Sequence, residues 1–105
     1  MSDRELLELA AKAAELHGFW VDAGLNVGSD ATPKIWNPLT DDGDALRLTV
    51  KLNFTVCKRE HEVEIFNDNN GEFLCSISIS EGDEPYAATR RAIVRAAAEI
   101  GKAMP

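Results

Sequence analysis

The five residues Asn67-Asp-Asn-Asn-Gly71 stand between two runs of alternating apolar and polar residues. Asn-Gly supplies the left-handed backbone that a tight reversal needs, and alternation on both sides supplies the strands it would join. The spacing therefore predicts an antiparallel hairpin. On its first arm, His61, Val63 and Ile65 alternate with Glu62 and Glu64. On its return arm, residues 72–80, Phe73, Cys75, Ile77 and Ile79 are expected on the core side. Leu74, Ser76, Ser78 and Ser80 are expected on the other.

Two helical patterns flank this hairpin at a distance. Residues 3–17 carry Leu6, Leu9, Ala10, Ala13 and Leu16 at three- and four-residue spacing, with Ser2 and Glu5 placed as a capping box and Gly18 as the expected stop. The second pattern starts at Asp83 or Glu84 as cap, has Pro85 in the first turn, and runs to about 102. Tyr86, Arg90, Ile93, Ala97 and Ile100 share one of its faces. Gly101 is expected to weaken its end, and the following residues to fray.

The middle is harder to read. Phe19–Ala23 suggests a strand, with a second extended piece near 25–27, a loop over 28–33 and a short return at 34–36 ended by Asn37 and Pro38. "LRLTVKLNFTV" over 46–56 alternates like a strand, yet Asp41 and Asp44 are placed to cap a helix. The acidic caps favour a helix from 41 or 42 to 52 with a break at Asn53. A strand over 55–59 then precedes the hairpin. The order is α-β-(β)-α-β-β-α: one α+β domain over residues 1–105, in two layers, with three helices on a short antiparallel sheet.

Charge narrows the partners. Eighteen Asp and Glu against eleven Lys and Arg give a formal net charge of -7. Such a chain is poorly suited to a nucleic-acid backbone or an anionic membrane surface and compatible with a basic protein partner. The charged start "MSDRELLELAAKAA" lacks the apolar stretch of a secretory signal, and no run is long enough to span a bilayer. A cytoplasmic location with Cys57 and Cys75 reduced is the expectation, Cys75 being buried. The two cysteines fall in neighbouring strands, so proximity stays open.

No constellation demands a particular chemistry. Asp41, Asp42 and Asp44 offer oxygen ligands for a divalent cation, but without calcium-loop spacing, and helix capping explains them equally. Aligning Gly71 with the glycine of a calcium loop places Phe66 where an Asp is required. His61 with Cys57 or Cys75 is the only conceivable nucleophile pair and has no orienting partner. Arg90, Arg91 and Arg95 form a basic row read as a solvated helix face. Trp20 and Trp36 are candidate contact residues if exposed. Binding is accordingly assigned to Trp20, Trp36, Asp41, Asp42, Asp44 and Arg91, with no catalytic residue, no metal ligand and no cofactor.

Three strings go further: "RELLELAAKAA" (4–14), "WNPLTDDGDALRLTVKL" (36–52) and "YAATRRAIVRAAAEIGKAM" (86–104). They resemble a family of small proteins encoded by tailed phages and prophages, over about two thirds of the chain. The family has no established activity, so the resemblance implies an origin and a bacterial cytoplasm and carries over no site residue. The expected function is a non-enzymatic accessory protein that binds a host or phage protein. The alternatives are a small homo-oligomer joined through alanine-rich helices or a sheet edge, or a divalent-metal or nucleic-acid binding module.

Overall fold

The computed structural model describes residues 1–105. The element order is α1 (Asp3–Ala13), β1 (Phe19–Val21), β2 (Gly24–Asn26), β3 (Ile35–Trp36), α2 (Asp42–Leu52), β4 (Phe54–Lys58), β5 (Glu62–Asn67), β6 (Phe73–Ser78) and α3 (Pro85–Ala103). The fold is α+β with three helices packed on antiparallel strands, as expected. The strands divide between two three-stranded sheets, β1-β2-β3 and β4-β5-β6, each in sequence order.

Helix ends follow local chemistry. Ser2 and Glu5 close the capping box of α1. The helix stops at Ala13, earlier than the expected residue 17, because Glu15 takes a left-handed backbone (φ 59). There the Glu15 N–H bonds the Lys12 carbonyl and the Leu16 N–H bonds the Ala11 carbonyl, a Schellman closure with Glu at the position usually given to Gly. Gly18 is not the stop. A Cβ on it would lie 2.1 Å from the Asn26 carbonyl oxygen, so this glycine admits the backbone of β2. Asp41 caps α2 by accepting from the Asp44 N–H at 2.8 Å, and Asn53, also left-handed, ends the helix. Glu84, rather than Asp83, caps α3 through the Tyr86 and Ala87 N–H groups.

In the first sheet, Trp20, Leu25 and Trp36 stand in register and face the core, while Phe19, Asn26 and Ile35 form the alternate row. In the second sheet, Val63 and Ile65 are fully buried beneath α3, and Ser76 and Ser78 are exposed on the far face, the polar side expected for the return strand. Phe73 departs from its expected side. A bulge at Ile65/Phe66 pairs Ile65 with Cys75 and Phe66 with Phe73, leaving Leu74 as the extra residue. Phe73 swings out to meet Phe66 edge-on, ring centroids 5.7 Å apart, and Leu74 packs against the core in its place.

The register also separates the cysteines. Cys57 pairs with Glu64 and Cys75 with Ile65. Neighbours along β5 point to opposite faces, so the two thiols lie on opposite sides of the sheet and cannot join. Cys75 is half-buried, its Sγ donating to the Ala92 carbonyl at 3.2 Å, and burial pushes its pKa above the ordinary thiol range. A raised thiol pKa leaves less thiolate at neutral pH. Iodoacetamide at pH 7.5 is therefore expected to modify Cys57 well before Cys75, read by intact-protein and peptide mass spectrometry. Equal rates at the two positions would contradict this placement.

The tightest seam joins α1 and α3. Ala10, Ala92, Ala96 and Ala97 are fully buried, and small side chains let the two helices approach closely. The alanine-rich faces thus cover each other within one chain. Gly101 belongs to this seam: it is buried, and the Leu9 carbonyl sits where its Cβ would be. The end of α3 is further held by Lys12, whose Nζ donates to the Met104 carbonyl at 3.0 Å. The expected weakening at Gly101 is thus overturned by packing. No helix is long and apolar enough to cross a membrane.

Candidate functional site

The residues singled out from the sequence do not converge. Trp36 is 6% exposed, so it is chiefly a core residue, with only an edge of the indole reaching the surface. Trp20 is half-buried under the Arg4 guanidinium, 4.5 Å from its ring centre, a cation–π contact that occupies its open side. Arg91 donates to Asp3 at 3.0 Å and ties α3 to the start of α1. Arg90 is not solvated: its side chain is 17% exposed, its Nε donates to the Leu39 carbonyl at 2.8 Å, and its Nη1 meets Asp42 at 2.6 Å. His61 is exposed and lies near Glu60 alone, 3.8 Å away.

The three aspartates do not meet at one point: Asp41 and Asp44 both reach Arg47, while Asp42 turns away. Asp41 turns back to cap the helix and Asp42 turns toward Arg90. Asp44 is buried; its Oδ2 accepts from the Asn37 N–H at 3.0 Å and its Oδ1 from Arg47 at 2.7 Å. That bond raises the Arg47 pKa further above its ordinary value. No group of three or more His, Cys, Asp or Glu side chains is placed to hold a metal ion.

What the fold does assemble is a groove between α2 and α3. The alternation that made 46–56 look like a strand has a different consequence once residues 42–52 are helical. Ala45, Leu48 and Leu52 turn inward, and the remaining apolar residues, Leu46 and Val50, fall one turn apart on the outside. Leu46 is 64% and Val50 72% exposed. Across the groove stands Tyr86, 68% exposed, at the start of α3. The groove encloses about 470 Å³, floored by Ala45, Thr49, Val56 and Ile93 and closed at one end by the Asp42–Arg90 pair.

Sequence reasoning missed this site, although its signal was present. A period of two in a segment capped as a helix means apolar residues on two faces, and only one can pack inward. Tyr86 shares a helix face with Arg90 and Ile93 and, at the start of α3, stands exposed at the rim. The arrangement contains no nucleophile with a base and no pair of carboxylates poised over it. Its chemistry is that of contact: apolar area, two aliphatic side chains on one stripe and one amphipathic ring.

No family model matches this chain, and no curated protein or solved structure matches it.

Proposed function

We propose that this protein is a non-enzymatic accessory protein of a tailed phage or prophage, acting in the bacterial cytoplasm by binding a host or phage protein through the α2–α3 groove. The observation that carries the reading is exposed Leu46 facing exposed Tyr86 across Ala45, Val56 and Ile93, with Val50 exposed one turn further along α2, beyond the groove lining. Nothing in the fold requires those side chains to be apolar. The resemblance adds support of another kind: the strings 36–52 and 86–104 supply opposite walls of this groove.

The occupant is an amphipathic helix with an apolar stripe and basic flanks. An eleven-residue helix such as α2 is about 16 Å long and presents roughly three turns, suited to a helix laid alongside it. Asp42 lies at one end of the groove, and Asp83 and Glu84 stand just before Pro85 and Tyr86; although Asp42 is paired with Arg90 and Glu84 caps α3, the net acidity of this end favours a basic flank.

The test is comparative capture from a bacterial host lysate, using wild type, Leu46→Asp, Val50→Asp and Phe73→Asp. Leu46→Asp places a charge in the groove and Val50→Asp places one a turn further along the same stripe; Phe73→Asp places one on the far face of β4-β5-β6. All three substituted side chains are solvent-facing, so circular dichroism should report unchanged folding. A partner retained by wild type and by Phe73→Asp, and lost from Leu46→Asp and Val50→Asp, is the expected result. Retention by every variant would move the contact elsewhere. Self-association abolished by the groove variants, read by light scattering, would replace a foreign partner with a second copy of the chain.

A further inference from the structure

We propose that the cleft on the opposite flank of α2 binds a small amphipathic carboxylate. This cleft, about 350 Å³, lies where the end of α1 and the strands β2 and β3 meet α2. Its floor is apolar, from Leu16, Val27, Trp36 and Leu48. Its rim is cationic: Lys34, Arg47 and Lys51 all reach it.

Three converging cations are unexpected on a chain with a net charge of -7. Arg47 is held by Asp44 and Asp41. Lys34 and Lys51 form no ion pair and donate to no acceptor through their ammonium groups, so both are free to meet a ligand. Of the two acids in the lining, Asp44 is bonded to Arg47 and to the Asn37 N–H, which leaves Glu15 alone on the rim. Glu15 is also one of two non-glycine residues with a left-handed backbone, and its conformation turns the chain so that Leu16 enters the floor.

The ligand class follows from this division of surface. A phosphate compound would want a ring of N–H donors or a glycine-rich turn, and this wall offers ammonium groups over aliphatic and indole surface. A carboxylate meets the lysines, and its apolar body displaces water from Leu16, Val27 and Trp36. At about 30 Å³ for each water-sized volume, the cleft accommodates roughly a dozen non-hydrogen atoms. Decanoate is a carboxylate of that size. The site is separate from the α2–α3 groove, since the two occupy opposite flanks of one helix.

The experiment is titration of the full chain with decanoate and with 1-decanol below their aggregation concentrations, followed by calorimetry and amide NMR shifts. Saturable decanoate binding with shifts at Leu16, Val27, Trp36, Leu48 and Lys51 is expected. Binding should weaken roughly ten-fold or more for the alcohol, and as much in the double variant Lys34→Glu, Lys51→Glu, as befits a charge-assisted contact. Both lysines are exposed, so the variant retains the fold. Equal affinity for the acid and the alcohol, no saturation, or shifts centred on Leu46, Val50 and Tyr86 would each overturn the proposal. The last outcome would assign the apolar chain to the partner groove, so the two readings fail separately.

Discussion

Replacing Gly101 with Ala is expected to destabilise the protein by about 2 kcal/mol, lowering the melting temperature by roughly 10 °C for a domain of this size. The added Cβ would sit 2.0 Å from the Leu9 carbonyl oxygen and 2.8 Å from its carbon. Both are backbone atoms of α1, and no rotamer change relieves the clash. Alanine is a better helix former than glycine by about 1 kcal/mol, so propensity alone predicts the opposite sign. Packing wins because the seam must open along its length to admit one methyl group. Thermal melting with amide hydrogen exchange decides between the two: loss of protection in the Leu6–Ala13 amides together with a lower melting temperature supports packing. A melting temperature at or above wild type would refute the close approach of the helices.

Asp44→Ala is the second large effect, about 2–3 kcal/mol by urea denaturation, whereas Arg47→Ala should cost under about 1 kcal/mol. The asymmetry comes from burial. The Asp44 side chain is almost wholly enclosed and that of Arg47 is two-thirds exposed, so the ion pair is screened on one side. The carboxylate's main role is to accept from the Asn37 N–H at 3.0 Å. That bond fixes the bend after β3, where Asn37 also donates to the Ala23 carbonyl and Pro38 is fully buried. Losing Asp44 leaves an N–H group without its acceptor, which is more damaging than losing an exposed guanidinium. Equal losses from the two substitutions would mean that the ion pair, not the backbone bond, holds the bend.

These two positions mark where the sequence is legible and where it is not. Local signals were read well: the Ser2–Glu5 box, Asp41 as cap, Asn53 as break and the 67–71 reversal depend on residues within a few positions of one another. Long-range roles were invisible to the same reading. Gly101 reads as a weak helix residue because its partner, Leu9, is far away in the chain. Gly18 reads as a terminator because helices often end at glycine, although its constraint comes from Asn26. Arg90 reads as solvated until Asp42 and the Leu39 carbonyl are brought to it.

The candidate sites were legible in part. Alternation in 46–52 carried the information that α2 has more apolar residues than one face can bury. Taken alone, the same alternation reads as a strand. The cleft left only a partial trace: Arg47 and Lys51 stand one turn apart on α2, but Lys34 comes from a loop with no periodic relation to them. Trp36, Asp42, Asp44 and Arg91 are conspicuous by type, and the fold uses each of them internally.

The α1–α3 seam bears on the order in which structure forms. β4, β5 and β6 join residues near one another, and so do β1 and β2. By contrast, Asp3 meets Arg91 and Lys12 meets Met104 only after nearly the whole chain has been brought round on itself. Contacts so distant in sequence carry the largest loop-closure entropy and belong late in folding. The first helix is thus expected to dock last, its Leu6, Leu7 and Ala10 being covered only when α3 closes over them.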